Sequence, residues 1–221
     1  MRSIIFDLDG TLADTSGDMI AAGNHCLYRI GVGAVLDPVR DRAAAFGGAR
    51  ALLRLGMARA GRAALTAADE DAEYVAYLAA YGTMLDRHSF VFDGVEAALD
   101  RLAAAGLAMG ICTNKPAVLA ETLLQRLGLR DRFGVLIGAD TLPVRKPDPA
   151  PLRAAVAGLG GDPRQSLLVG DTVTDRDTAR ALGVPVILVS FGGAGAGAAA
   201  LEPDALIGHF DDLDAAVARL V

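Results

Sequence analysis

Ser3-Ile4-Ile5-Phe6-Asp7-Leu8-Asp9-Gly10-Thr11 is the stretch that decides how the rest of the chain is read. The run before Asp7 is short, β-branched and aromatic, which favours a buried strand over a helix. Gly10 then gives the backbone the freedom to leave the sheet. Asp7 and Asp9 stand two residues apart, so an extended backbone aims both carboxylates toward one side. Placed together they repel, and desolvation raises at least one pKa; a divalent cation is the simplest remedy. The alternative is a strand that merely ends in an Asp-Gly turn, and the later segments have to separate the two.

From Val91 onward, apolar runs alternate with amphipathic ones. Strands are expected at residues 107–112, 135–138, 166–170 and 186–189, with a short sixth at 205–207. Helices are expected at 95–105, from Pro116 to Leu127, at 150–158, at 175–182 and from Asp211. Strands and helices alternating over short links imply an α/β fold, a Rossmann-like parallel sheet with helices on both faces. Ligands in such sheets bind beyond the carboxyl ends of the strands. Asp7, Thr113 and Asp171 each fall at such an end. Between residues 15 and 87 no strand pattern is found. Helices are expected at 15–31, from Asp37-Pro38, around Leu52, Leu53 and Leu55, and from Ala67 to Leu85 with Tyr74, Leu78, Tyr81 and Leu85 on one stripe. The expected organisation is a core of residues 1–14 and 88–221 with an all-helical insertion at 15–87.

Composition narrows the partners. The 221 residues are 52% hydrophobic and 22% charged, a globular balance, with a net charge of −6 and no basic cluster. A nucleic-acid or anionic-membrane surface is therefore not expected. No apolar run reaches a membrane span and the N-terminus lacks a signal-peptide pattern, so a cytoplasmic protein is expected. Cys26 and Cys112 read as two free thiols. Lys115 and Lys146 are the only lysines, against nineteen arginines, which suggests lysine is kept where a compact ammonium is needed.

Four segments in order carry a resemblance. FDLDGTLADT (residues 6–15), TNKP (113–116), RKPDP (145–149) and GDTVTD (170–175) resemble motifs I to IV of the haloacid dehalogenase superfamily of phosphohydrolases. The resemblance implies Asp7 as nucleophile, Asp9 as general acid/base and Lys146 as the cation that offsets charge at the phosphoryl group. It implies Mg²⁺ held by Asp7, Asp171 and the backbone carbonyl of Asp9, with Asp175 supporting the metal through water or holding Lys146. Gly10, Thr113, Asn114 and Lys115 would contact the phosphoryl group or substrate. An insertion directly after motif I resembles the C1-type cap that selects substrate. Within the superfamily the motifs are most similar to the phosphoglycolate phosphatase family. That implies a small-molecule phosphate monoester, 2-phosphoglycolate favoured, and a monomer or homodimer. Arg50, after Gly47-Gly48, is the candidate for binding the substrate carboxylate, with Lys115 next. The alternatives are a β-phosphoglucomutase-like or other sugar-phosphate or nucleotide enzyme of the superfamily, and a non-catalytic binding module. GxGxG within residues 192–197 comes too late for a dinucleotide-binding half. It reads as a mobile loop near the site's rim. The three histidines read as surface or packing residues.

Overall fold

The computed structural model describes residues 2–220. The described residues divide into two compact units, 2–14 with 91–220, and 15–90.

The first unit is built on a six-stranded, wholly parallel sheet. In chain order its strands are β1 (Ser3–Phe6), β4 (Ala108–Cys112), β5 (Val135–Ile137), β6 (Ser166–Gly170), β7 (Val186–Val189) and β8 (Ala205–Ile207), arranged β5-β4-β1-β6-β7-β8. Two-residue strands β2 (Ala13–Asp14) and β3 (Phe90–Val91) stand outside it. β1 is central, and each of its residues is buried, Ile4, Ile5 and Phe6 as an apolar run requires and Ser3 with its hydroxyl bonded to that of Ser166. Its register pairs Phe6 with Ile111 of β4 and with Val169 of β6. Three neighbouring strands therefore end within one residue of one another, and the first polar residues beyond them, Asp7, Thr113 and Asp171, emerge together at one edge of the sheet.

Helices α5 (Val95–Ala104), α6 (Ala117–Arg126), α7 (Pro149–Gly158), α8 (Val173–Leu182) and α9 (Leu213–Leu220) complete this unit. Ile5, Leu168 and Leu188 share one core cluster with Leu152, Val156 and Ala179 of α7 and α8. Phe6, one residue on, faces the other way and meets Phe133 edge to face at 6.0 Å. Truncating so buried a residue as Ile5 to alanine costs about 2–5 kcal/mol. The last helix starts at Leu213, later than Asp211, because His209 Nδ1 accepts from the Asp211 N–H and closes a 3₁₀ turn first.

The second unit is helical: α1 (Ser16–Arg29), α2 (Arg42–Ala45), α3 (Ala49–Arg59) and α4 (Ala67–Gly82). A Thr66–Asp69 capping box starts α4. Two local expectations fail here. Asp37-Pro38 opens a turn, not a helix: Asp37 Oδ1 accepts from Val39 and Arg40 N–H, and α2 begins only after Asp41. The buried stripe of α4 is Glu70, Glu73, Tyr77 and Tyr81, while Tyr74 and Leu78 are half-buried. Arginines from neighbouring helices account for the shift. Arg54 holds Glu70 through two hydrogen bonds of 2.6 and 2.7 Å, and Arg29 holds Glu73 at 2.7 Å. Paired acids can occupy a face that hydrophobicity alone reserves for apolar residues.

Candidate active site

Asp7 follows β1 with its N–H bonded to the Val169 carbonyl at 2.9 Å, so the sheet continues one step past the strand. Its carboxylate is buried and lies 3.0 Å from Lys146 Nζ. The chain then turns at Gly10 (φ 82°), whose N–H is committed to the Ala13 carbonyl. That turn leaves Asp9 partly exposed, with Oδ1 accepting from Lys115 Nζ at 2.8 Å.

Lys146 is fixed from three sides. Its ammonium donates to Asp175 Oδ1 at 2.6 Å and faces Asp7, while Asn114 Nδ2 donates to its backbone carbonyl at 3.0 Å. Burial works against its charge, but Asp175 and Asp7 outweigh burial and raise its pKa. Asp175 in turn is saturated. Its Oδ2 accepts from Asp171 N–H, Thr172 N–H and the Thr172 hydroxyl, which also closes the capping box of α8. Burial alone would raise the Asp175 pKa; Lys146 and Thr172 reverse the sign and lower it. Gly170 is required by this fold-back, since a Cβ there would fall 2.4 Å from the Asp175 Cβ and Cγ.

Asp171 is fully buried and receives the Thr11 hydroxyl at 3.0 Å and the Gly193 N–H. The Gly193 contact was not legible in the sequence. Residues 192–194 reach the site as the expected rim segment, Gly195–Leu201 form a 3₁₀ helix, and Gly192 presses against Asp171. A Cβ on Gly192 would sit 2.3 Å from the Gly10 carbonyl and 2.4 Å from the Asp171 Cβ. The only sequence signal for this contact was the paired glycine after a strand. Thr113 is buried beside these groups; its Oγ1 accepts from the Lys115 N–H at 3.2 Å, which leaves its hydroxyl proton to donate elsewhere.

Asp7, Asp171 and Asp175 present carboxylate oxygens within 4.8 Å of one another. One ammonium cannot neutralise three buried acids. Burial raises Asp7 from 3.8 to about 6 against the opposing pull of Lys146, and burial with Asp175 and Asp7 raises Asp171 well above its usual range. Asp175 has the shorter pair with Lys146, which Asp7 only shares, and Asp171 receives only the neutral donors of Thr11 and Gly193, so the acids short of positive charge are Asp7 and Asp171. Asp7 Oδ1 is buried without a hydrogen-bond partner despite its ion pair. A hard divalent cation with oxygen ligands fits that donor set.

Arg50 lies in the second unit. Its guanidinium meets Asp71 at 2.5 Å and covers the Tyr74 ring at 4.6 Å. His25 and His88 are exposed, His209 serves the 3₁₀ turn, and Asp177, an exposed residue, pairs with Arg176. Cys26 and Cys112 are free and buried. No helix among the described residues is long and apolar enough to cross a membrane.

The family model for haloacid dehalogenase-like hydrolases matches residues 4–189, which takes in every one of these core groups except Gly192 and Gly193. The chain belongs to that family. It is thus a hydrolase by descent, and several curated relatives carry the name phosphoglycolate phosphatase. The phosphoglycolate phosphatase of Mesorhizobium japonicum is 37% identical over 216 residues, covering 98% of this chain and 94% of the relative. That of Caulobacter vibrioides is 39% identical over 220 residues, covering 99% and 92%. Among solved structures, one described as a predicted phosphoglycolate phosphatase from Haemophilus somnus superposes with a TM-score of 0.84 at 26% identity, covering 97% of each chain. A haloacid dehalogenase-superfamily hydrolase from Geobacter sulfurreducens shares the fold, with a TM-score of 0.74 at 22% identity, covering 97% of this chain and 98% of the other.

Proposed function

We propose that this hydrolase is a Mg²⁺-dependent, cytoplasmic phosphatase that cleaves a small phosphate monoester, 2-phosphoglycolate foremost, through an aspartyl-phosphate on Asp7. The observation that carries the reading is the central-strand carboxylate of Asp7, buried, 3.0 Å from Lys146, and beside an Asp171 that lacks a countercharge.

Asp7 attacks phosphorus in line, and the ester P–O bond breaks as the leaving oxygen takes a proton from Asp9. Water then attacks the aspartyl-phosphate. Asp9 removes its proton, the bond to Asp7 breaks, and inorganic phosphate departs. Lys146, locked by Asp175 and Asn114, meets the developing phosphoryl charge without having to reorganise. Thr113 offers its hydroxyl to a phosphoryl oxygen. Asp7 and Asp171 would hold Mg²⁺, which would supply charge neutralisation at the phosphoryl group and keep both carboxylates ionised. The inserted helical unit acts as the cap that selects substrate.

Phosphate release from a panel of monoesters, with Mg²⁺ and with a chelator, tests this. Turnover of 2-phosphoglycolate that vanishes in the chelator and returns with Mg²⁺ is expected. Undiminished turnover in the chelator overturns the metal assignment.

A further inference from the structure

The chain's two lysines share an arrangement. Both are buried, and each ion-pairs with one aspartate of the first loop, Lys146 with Asp7 at 3.0 Å and Lys115 with Asp9 at 2.8 Å. Their settings differ. Lys146 is pinned by Asp175 in the interior, whereas Lys115 ends on a carboxylate that retains 17% side-chain exposure.

Asp9 is the group that the proposed mechanism places beside the leaving oxygen, within about 2.6–3.2 Å. An ammonium 2.8 Å from Oδ1 of the same carboxylate then lies within about 6 Å of that oxygen when Oδ1 makes the contact, and within about 8 Å when Oδ2 does. Any negative charge carried on the leaving alcohol a bond or two from its ester oxygen comes within reach of Lys115. In 2-phosphoglycolate a single methylene separates the ester oxygen from the carboxylate carbon.

We propose that Lys115 is the specificity-determining residue for the leaving group. Its ammonium, held on Asp9 Oδ1 in this structure, transfers to an anionic group on the leaving alcohol and thereby favours phosphate esters of hydroxy acids over esters of neutral alcohols. This rests on the phosphatase reading and deepens it. A compact ammonium on a flexible stem can pass between two carboxylates; a guanidinium fork suits one fixed planar partner. The existing pair with Asp9 also holds the side chain near its target, which lowers the ordering cost of binding. Arg50 is the rival reader, and it is already engaged by Asp71 and Tyr74.

The test compares kcat/KM for 2-phosphoglycolate with that for ethyl phosphate, whose leaving group is of similar size and uncharged, at saturating Mg²⁺. Wild type, Lys115→Met, Lys115→Arg and Arg50→Ala are assayed side by side. Wild type is expected to prefer 2-phosphoglycolate. In Lys115→Met the preference should fall about tenfold or more, chiefly through KM, as expected when a charged hydrogen bond is lost. Lys115→Arg should keep part of the preference, and it carries the test if Lys115→Met does not fold. Equal losses on both esters overturn the inference, as does a preference that disappears in Arg50→Ala and survives in Lys115→Met. A wild type that hydrolyses neither ester breaks the phosphatase reading itself. One that hydrolyses both equally breaks only the inference.

Discussion

The two units bury acids in opposite ways. In the helical unit, Asp41 meets Arg59 through two hydrogen bonds, Glu70 meets Arg54 likewise, Glu73 meets Arg29, and Asp18 accepts from His88 N–H and from the Ser89 N–H and hydroxyl. The Arg59 hydrogen bonds hold Asp41 down at about 2, and those from Arg54 lower Glu70. At the strand ends of the core the balance is reversed. Burial outweighs compensation, and Asp7 and Asp171 are pushed upward. Carboxylates that a fold needs only for structure receive arginine forks and backbone N–H groups. Those left short of positive charge mark the place where a further cation and an anionic substrate belong.

The most severe way to test that contrast is Asp7→Asn. If the core acids are functional, kcat should fall by at least about 10³-fold, because the amide is no nucleophile. The fold should persist, since one buried charge is relieved. Beryllium fluoride should bind the wild type at Asp7 as a phosphoryl mimic and fail to bind this variant. Substantial turnover by Asp7→Asn would remove Asp7 from the chemistry altogether.

Lys146→Arg comes next, with an expected loss of about 10²–10³-fold in kcat despite the retained charge. The planar guanidinium cannot occupy the point between Asp7 and Asp175 that the ammonium fills at 3.0 and 2.6 Å. Circular dichroism should show an intact fold. Near-normal kcat means that bulk charge alone suffices there.

Much of this site was legible because its pieces lie at the ends of short apolar strands, where local pattern is strongest. The string around Asp7, the Thr113 turn and the Gly170-Asp171 pair each announce a strand end. What joins them was not legible. Lys115 and Asp9 are 106 positions apart, and Gly193 and Asp171 are 22 apart on different strand-end loops. Such pairs follow from strand order, which no local pattern encodes. The helical unit hid its packing for a different reason. A periodicity argument assigns Glu70 and Glu73 to solvent, so it rotated the α4 stripe onto Tyr74 and Leu78. Only the arginines of α1 and α3, invisible to that argument, make the acidic face the inner one.

The structural half of the contrast is tested by Arg59→Ala. Removing this partner leaves Asp41 buried without its fork, and a loss of about 1–3 kcal/mol is expected. Thermal melting should drop by several degrees, while kcat of the folded fraction stays within a factor of about three. A melting point unchanged by the substitution would show that these pairs contribute nothing net, as exposed ion pairs often do.

The smallest effect is the pH dependence of stability without metal, and its sign separates the units. The Asp7 carboxyl is raised from 3.8 to about 6 in the folded chain. Between those values the folded state keeps a proton that the unfolded chain has released. Stability therefore falls as pH rises through that window, and the loss is complete above about 6. Asp171, also raised, adds in the same direction, whereas Asp41, lowered to about 2, loses its stabilising contribution only in more acid solution. In a chelator the melting temperature should accordingly drop by a few degrees between pH 4 and pH 7. Mg²⁺ should raise it more at pH 7 than at pH 4, because binding favours the ionised carboxylates. The difference between wild type and Asp7→Asn isolates the contribution of that one carboxyl from every other titrating group. If the two melting curves run parallel across the window, Lys146 already neutralises Asp7 in full, and the asymmetry between the core and the helical unit disappears at this residue.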